Sequence, residues 1–279
     1  MISPQAIKTK PLNPTTVYLA TRALKKTTAH NFSKAANKYS QHANVQKQAA
    51  NDLFKLISAN PSKLCVDLGA GPLVNTQALR ALFGQVVAID LSFNMLKNSN
   101  LNTPKLCADM DNLPLQANSI DVLFSNFALQ WSANFEALMH SLYQALKPGG
   151  QAYISTVVAG SLNEIKTAFE VLDSHNHINQ FASHNNINQS VEKAGFKINA
   201  SKKVIYTDQH SSALAAIKSI KAIGATTQNH ATSRRGLLTK SALQKVCDAY
   251  PIINKKAHVS YHVVLLSLEK PSKNNKAMP

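Results

Sequence analysis

The sequence predicts an α/β protein with a doubly wound, mostly parallel sheet. Five apolar runs have the short length of buried strands and are bounded by turn residues: Leu64–Leu68, Val86–Ile89, Lys105–Cys107, Asp121–Ser125 and Ala152–Val157. Helical segments separate them, and the clearest is Asn134–Leu146, which has one apolar stripe and a capping Asn134. Strands that alternate with helices form parallel sheets, and such sheets bind ligands at the carboxyl ends of their strands.

The second half of the chain adds two strands, Phe196–Tyr206 and His258–Leu268, which bring the predicted sheet to seven strands. Helical patterns lie near residues 161–172, 187–194, 212–223 and 240–249. Residues 208–255 interrupt what would otherwise be a terminal pair of strands. We interpret this segment as an inserted helical lid over the strand ends.

The predicted domain organisation is one α/β domain with a short segment at each end. Residues 1–30 contain Pro4, Pro11 and Pro14 among lysines, threonines and asparagines, which predicts a flexible basic extension. The domain at 31–268 then divides into cap helices (31–63), a ligand-binding core (64–157), the end of the core (158–207), the lid (208–255) and the last strand (256–268). Residues 269–279 form a tail.

Basic residues outnumber acidic ones, because 30 Lys and Arg against 14 Asp and Glu give a formal net charge of +16. The first 51 residues contain no acidic residue at all. A field of this sign attracts nucleic acid, an acidic membrane or an acidic protein partner. Colloidal solubility or composition bias is the alternative explanation.

The sequence predicts a cytoplasmic protein. No apolar run approaches the ~20 residues that span a bilayer, and no signal-peptide pattern follows the start. The three cysteines, Cys65, Cys107 and Cys247, are far apart and lack the spacing of metal ligands, and two of them lie in expected strand cores. We therefore expect buried free thiols, a reducing compartment and no metal site.

Candidate ligand-binding residues follow the first two strands. Gly69 and Gly71 come directly after Asp67 and Leu68, where glycine lets the backbone turn tightly and approach a ligand. Asp90 ends the second strand, 23 residues after Asp67. A carboxylate there can accept hydrogen bonds from both ribose hydroxyls, and a helix N-cap is its alternative role.

Two more strand ends carry residues of the same kind. Asp109 and Met110 follow the third strand, where an acid and an apolar side chain could grip an adenine amino group and ring face, and Asn126 ends the fourth strand. A nicotinamide-dinucleotide site would have a third glycine near position 74 and room for two phosphates. Here Pro72, Leu73 and Val74 leave little space for them. The set of strand ends therefore predicts a nucleoside-like ligand without phosphates.

Longer motifs add a resemblance. The chain resembles class I S-adenosylmethionine-dependent methyltransferases in five motifs: Asp67–Gly71, Asp90, Asp109-Met110, Leu113–Leu115 and Lys147–Gly150. It resembles more closely the malonyl-[acyl-carrier protein] O-methyltransferases of biotin biosynthesis, on Phe32–Gln46, Ser125–Trp131, Gly160–Glu164, Asn179–Phe181, Lys221–Ala225 and Arg234–Leu237. Together these motifs cover about residues 31–268.

The resemblance implies a Rossmann-like methyltransferase sheet and transfer of a methyl group to the free carboxylate of malonyl-acyl-carrier protein. The cofactor would be S-adenosylmethionine, the product S-adenosylhomocysteine and the partner an acidic carrier protein. The methyl ester would then prime synthesis of the pimeloyl chain. A malonyl carboxylate is already ionised near pH 7, so we expect no general base, and alignment in a dry pocket would carry the catalysis.

The resemblance also assigns site residues. The cofactor-binding set is Tyr39, Gln46, Asp67, Gly69, Gly71, Asp90, Leu91, Asp109, Met110 and Asn126. Tyr39 and Trp131 would position the reacting groups, with ordinary core packing as the alternative for each. The substrate-binding set is Gln130, Trp131, Asn179, Lys221, Arg234 and Arg235, with Arg234 the first choice for the malonyl carboxylate because its fork matches that group.

Two departures from the family loop concern Ala70 and Leu73, which stand where the family usually has Cys and Gly. Leu73 places a bulky side chain where the next helix starts, so weaker cofactor binding is one expected consequence.

Three rival classes remain: a methyltransferase of nucleic acid, a methyltransferase of a quinone or other small molecule, and an adaptor that binds no cofactor. The Pro-Pro-aromatic motif of nucleic-acid enzymes is absent after Asn126.

Overall fold

The computed structural model describes residues 14–175, 177–222 and 239–272, without the side chains of 14–21, 35, 37–41 and 221–222. The helices in these ranges are α1 (Pro14–His42), α2 (Asn44–Phe54), α3 (Thr76–Phe83), α4 (Phe93–Lys97), α5 (Phe135–Ala145), α6 (Asn163–Phe169), α7 (His184–Lys193), α8 (Ala213–Ala222) and α9 (Lys240–Asp248), with short 3-10 helices at Met110–Asn112 and Leu129–Trp131. The strands are β1 (Leu64–Leu68), β2 (Gln85–Asp90), β3 (Lys105–Cys107), β4 (Ile120–Asn126), β5 (Leu146–Val157), β6 (Lys197–His210), β7 (Ile252–Ile253) and β8 (Lys256–Glu269). Among the described helices, none is long and apolar enough to cross a bilayer.

The strands form one sheet in the order β3-β2-β1-β4-β5-β8-β6, with β7 paired to β8. Strands β1 to β5 are parallel, whereas β8 runs antiparallel to β5 and to β6. The predicted doubly wound, mostly parallel sheet is confirmed, and the two-residue β7 is added to its seven strands. Strand order reverses between β1 and β4, so the loops that follow these strands diverge and leave a crevice.

Two apolar layers cover the two faces of the sheet, as an α/β fold requires. Alternate residues of a strand point to opposite faces, so Phe124 lies in the layer formed with α2, α3 and α6, and Leu123 in the layer formed with α5 and α7. Both side chains are completely buried. The central strands are therefore packed on both sides, and ligand access is left to the strand ends.

The cysteines are less buried than the sequence predicted. Cys65 in β1 is buried, but Cys107 is exposed although it lies in β3. The reason is that β3 is a three-residue strand at the edge of the sheet, where one side is open to solvent.

The predicted flexible extension over residues 1–30 is wrong from Pro14 onward, because α1 begins there and continues to His42. Proline suits the first turn of a helix, since its φ is already fixed and its missing N–H has no partner there. Thr28 and Ala36 are buried, and α1 contacts α4 and α8. The sequence does not reveal this helix, because proline usually interrupts helices and the apolar residues that follow have no regular period.

The segment predicted as a lid, residues 208–255, contains α8, α9 and β7, with 223–238 outside the described residues. Helix α8 contacts α1, β6 and β8. Val157 at the end of β5 pairs with Val263 of β8. Residues 256–262 of β8 therefore extend past the carboxyl end of β5. These elements therefore stand at the carboxyl end of the parallel strands, the end that carries the crevice. That they close over a ligand remains a proposal.

The loop between β1 and α3 is held by glycine-specific packing. Gly69 has a φ of 73°, and a Cβ added to it would lie 2.2 Å from the Cβ of Ala128. Its N–H donates to the carbonyl oxygen of Ile89 at 2.8 Å. Gly71 has a φ of 54°, and a Cβ there would meet nothing within 4 Å. Gly69 thus brings the loops after β1 and β4 together, while Gly71 faces open space.

Leu73 has a left-handed φ of 62°, a conformation that costs a branched side chain about 1–2 kcal/mol. Its side chain is 4% exposed and packs in a small apolar cluster with Ala70, Ala88 and Leu96. Packing in this cluster offsets the backbone strain. The bulky side chain therefore packs inside the protein, and weaker cofactor binding as a result of Leu73 stays a prediction.

We predict an inverted order of stability for two substitutions of Leu73. Both Leu73→Ala and Leu73→Gly should destabilise the protein, since emptying a buried leucine site costs about 2–5 kcal/mol. The glycine variant should be about 1 kcal/mol more stable than the alanine variant, because glycine adopts the left-handed φ without strain. Urea unfolding measures both, with Leu79 in helix α3 as the control site. At Leu79 alanine should be the more stable, and the same order at Leu73 would contradict our explanation.

Asp67 ties β1 to α3. The Thr76 hydroxyl donates to Asp67 Oδ2 at 2.6 Å, and both side chains are buried. Burial raises the pKa of the Asp67 carboxyl to about 7; the bond from Thr76 lowers it in part, and the charge of Asp90 raises it further. Asp67 therefore fixes the start of α3 behind the glycine loop.

This pKa predicts a pH-dependent stability. A carboxyl group whose pKa is raised by folding binds its proton more tightly in the folded than in the unfolded state, so the free energy of unfolding should fall between about pH 4 and pH 7. In Asp67→Asn, which still accepts the Thr76 hydrogen bond, this part of the fall should disappear. Urea unfolding of both proteins at several pH values tests it, and parallel stability curves would show that Asp67 is ionised throughout.

Candidate functional site

A cavity of about 600 Å3, including the part that opens to solvent, lies at the carboxyl ends of β1, β2, β3 and β4. Seven of the predicted site residues line it: Gly69, Gly71, Asp90, Leu91, Met110, Asn126 and Trp131. The remaining lining residues are Thr28, Phe32, Leu68, Met95, Ala108, Phe127 and Ala128. Four strand ends thus meet at one cavity.

Asp90 is held by two backbone N–H groups. Gly71 N–H donates to its Oδ2 at 2.9 Å and Ser92 N–H to its Oδ1 at 2.7 Å. Burial raises its pKa, and these two bonds lower it in part. The N-cap of α4 is Ser92, whose hydroxyl accepts from Met95 N–H, so the alternative role for Asp90 does not apply.

The unused acceptor sites of the Asp90 carboxylate suit a diol, which has two hydroxyl donors. An ionised carboxylate has about four lone-pair sites, and the loop occupies two of them. Two remain, on a carboxylate whose position is fixed and which lines the cavity. Neighbouring apolar side chains, Leu91 and Met110, provide surface for a flat ring. This geometry fits a ribose with an attached base.

Asp109 lies outside the lining of this cavity, in a neighbouring one that it shares with Lys25 and Asp111. Its Oδ2 accepts from Lys25 Nζ at 2.5 Å and its Oδ1 from Asp111 N–H at 3.0 Å. Met110 lines the first cavity itself. The predicted pair is therefore split, with the apolar residue on the wall and the acid at the rim.

Asn126 joins three elements. Its Nδ2 donates to the backbone oxygen of Gln46 at 3.0 Å, and its Oδ1 accepts from the Ser155 hydroxyl at 2.6 Å. These bonds fix which way the amide points. The Gln46 side chain is buried and is absent from the described lining, so Gln46 acts here through its backbone. Asn126 links α2 and β5 to the end of β4.

Residues after Asn126 form an aromatic wall. Phe127 has a φ of 54°, and its N–H donates to Ser155, to the backbone oxygen at 3.1 Å and to the hydroxyl at 3.0 Å. Trp131 packs edge-on against Phe32 of α1, with 5.4 Å between ring centroids. Strained backbone of this kind is often found at binding sites. Helix α1 therefore covers the cavity through Phe32 and Thr28.

Phe32 and Thr28 were missed as site residues. Phe32 begins the N-terminal motif Phe32–Gln46, which predicts a cap helix but does not by itself place this side chain in the cavity wall. Thr28 carried no signal, because it lies in the segment interpreted as flexible. Both reach the cavity through the long α1.

The predicted substrate residues fall outside the described lining except for Trp131. Gln130 Nε2 donates to the backbone oxygen of Phe127 at 2.8 Å, so this side chain braces the aromatic wall. Asn179 lies in an irregular segment after α6. Other assignments rest on side chains that the structure does not describe: Tyr39 in α1, Lys221 in α8, and Arg234 and Arg235, which lie outside the described residues altogether.

Asp90 is the one ionisable side chain among the described residues that line the cavity. Its two backbone bonds make it a fixed acceptor. The lining otherwise consists of backbone, amide, hydroxyl and apolar groups. Such a cavity can bind and orient a polar ligand and exclude water from it.

Known proteins are similar to this chain. Residues 66–154 match the family described as a methyltransferase domain. The malonyl-[acyl-carrier protein] O-methyltransferase of Salmonella typhimurium is 29% identical over 86% of this chain and 95% of its own length. The biotin biosynthesis bifunctional protein BioHC of Cellvibrio japonicus is 32% identical over 91% of this chain, which spans 52% of that longer protein.

Solved structures with low sequence identity share the fold. A Bacillus halodurans protein has a TM-score of 0.61 and 14% identity, covering 80% of this chain and 99% of its own. Geranyl diphosphate C-methyltransferase of Streptomyces coelicolor has a TM-score of 0.50 and 13% identity over 80% of this chain and 79% of its own.

The malonyl-[acyl-carrier protein] O-methyltransferase of Hamiltonella defensa is 31% identical over 84% of this chain and 90% of its own length. The chain therefore belongs to the malonyl-[acyl-carrier protein] O-methyltransferase family.

Proposed function

We propose that this protein transfers a methyl group from S-adenosylmethionine to the free carboxylate of malonyl-acyl-carrier protein. Family membership supports the reaction, since the relatives carry it in their names. The observation that carries the proposal is Asp90, a fixed carboxylate with two free acceptor sites in a cavity at four strand ends. Relatives named for biotin biosynthesis support a place in that pathway.

The residues present fit this cofactor. Asp90 would accept both ribose hydroxyls, and Leu91 and Met110 would contact the base. The open space at Gly71 leaves room for a ligand beside the loop. Asp67 supports this loop from behind through Thr76. The cofactor contacts proposed for Tyr39, Gln46 and Asp109 rest on the resemblance.

The cofactor supplies a methyl group on a positively charged sulfur, which is electrophilic by itself. The protein's task is to orient the malonyl carboxylate and to exclude water. Phe32 and Trp131 provide the apolar wall for this, and the carboxylate needs no deprotonation near pH 7. We propose Arg234, with Arg235 and Lys221 as alternatives, as the cation that binds the carboxylate. Methylation removes the charge, so enzymes that extend apolar acyl chains could accept the product.

The proposal predicts that malonyl-acyl-carrier protein incubated with the protein and S-adenosylmethionine gains the mass of one methyl group. Malonyl-carrier without the enzyme, and acetyl-carrier with it, are the controls, because neither should be methylated. Methylation of RNA or of a quinone, with no change in the carrier, would instead establish one of the rival classes. Failure to bind S-adenosylhomocysteine in calorimetry would favour the adaptor.

The carrier partner is expected to be acidic, and the β7–β8 hairpin (residues 252–256) offers it a basic, apolar surface. Ile252 and Ile253 are 53% and 50% exposed, and Lys255 and Lys256 at the turn are exposed too. Tyr261, further along β8, packs against Phe127 of the cavity wall. Five strand residues span about 17 Å, so the hairpin stands near the cavity. We propose this hairpin as the docking surface for the carrier.

The charge-reversed variant Lys255→Glu/Lys256→Glu should raise the apparent KM for malonyl-carrier about tenfold or more, because like charges now face the acidic partner. Its affinity for S-adenosylhomocysteine should stay unchanged. Lys193→Glu/Lys197→Glu is the control, since it makes the same change in net charge on exposed residues at the other end of β6, although it also removes surface ion pairs with Glu136 and Glu269. Equal effects of the two variants on KM at several salt concentrations would reject the hairpin as the docking surface.

A further inference from the structure

Lys25 of α1 bridges two carboxylates of the loop after β3. Its Nζ lies 2.5 Å from Asp109 Oδ2 and 2.6 Å from Asp111 Oδ2. The side chains are largely shielded from solvent, with 17% of Lys25, 31% of Asp109 and 17% of Asp111 exposed. These acids flank Met110, which lines the cavity. A residue of the covering helix thus grips the loop on both sides of a wall residue.

Asp111 extends the contact to a third segment. It accepts hydrogen bonds from the Ser132 hydroxyl and, at 2.8 Å, from Ala133 N–H. Ser132 directly follows Trp131, which packs against Phe32 of α1. The cover helix, the loop after β3 and the aromatic wall after β4 therefore meet at Lys25 and Asp111. Each of these three segments contributes a residue to the cavity.

The two carboxylates stabilise the charged form of Lys25 in this partly buried position. Burial lowers the pKa of the Lys25 ammonium, but its hydrogen bonds to Asp109 and Asp111 and their negative charges outweigh this effect, so the pKa is raised. Two neighbouring carboxylates repel each other unless a cation lies between them. Without the ammonium both acids would be left partly buried and unneutralised, and α1 would lose its charged contact with this loop.

We propose that Lys25 is a positioning residue for methyl transfer, which holds α1 closed over the bound cofactor by bridging Asp109 and Asp111. The inference rests on the proposed function for the identity of the cofactor. Lys25 does not line the cofactor cavity, so it acts through Met110, Trp131 and Phe32. Cofactor entry and release then require the bridge to open, and the bridge slows cofactor release.

The test compares Lys25→Met with Lys26→Met, its exposed neighbour on the same helix. Lys25→Met should weaken binding of S-adenosylhomocysteine about tenfold, the size expected for loss of charge-assisted hydrogen bonds, through faster dissociation. Its KM for S-adenosylmethionine should rise more than its KM for malonyl-carrier. Lys26→Met should match wild type, and Lys25→Arg should restore most of the affinity because arginine can bridge two acids.

Trp131 provides a second readout that needs no activity, because it is the only tryptophan of the chain. In the ligand-free Lys25→Met variant its fluorescence should shift to longer wavelength as α1 moves away. Wild-type affinity, dissociation rate and emission in Lys25→Met would overturn the inference. A fall in melting temperature with equal increases in both KM values would also overturn it, since that indicates a purely structural role. If wild-type protein binds no S-adenosylhomocysteine, the proposed function fails, and the emission shift still tests the bridge.

Discussion

Gly69, after β1, packs against Ala128, after β4, so closely that a Cβ on Gly69 would lie 2.2 Å from the Cβ of Ala128. A larger residue would force the two loops apart at the point where strand order reverses. Asp90 and Asn126 are also positioned by backbone groups: Asp90 accepts from the N–H of Gly71, and Asn126 donates to the carbonyl oxygen of Gln46 in α2. The polar groups of the cavity are therefore oriented before any ligand arrives, and binding does not have to order them.

Four carboxylates near the cavity have different tasks because their surroundings differ. Asp67 is buried behind the loop and bonded to a hydroxyl, so it stabilises the fold. Asp90 receives two backbone N–H groups and keeps free acceptor sites toward the cavity. Asp109 and Asp111 at the rim share a lysine. From the sequence alone Asp67, Asp90 and Asp109 look alike, since each lies at or just after the end of a strand, and only their partners in the structure distinguish their tasks.

The sheet was predictable because its central strands are buried on both faces and appear as uninterrupted apolar runs. The strand-end residues of the site were predictable for a related reason, since parallel strands bring their carboxyl ends together. Two features could not be read in this way. Helix α1 lacks a regular apolar period. Lys25 and Asp109 are 84 residues apart in the sequence, and nothing in the sequence indicates which of the acidic residues Lys25 would pair with. The role of Leu73 depended on a side-chain direction that only the packed cluster determines.

Helix α8 of the segment after β6 contacts α1, the helix that covers the cavity. A macromolecular partner that shifts α8 therefore changes the surroundings of α1, and thermodynamic linkage requires the effect to be mutual. Whatever the carrier does to cofactor affinity, the cofactor must do to carrier affinity by the same factor. The contact between these two helices therefore gives the two binding events a physical route by which each can affect the other.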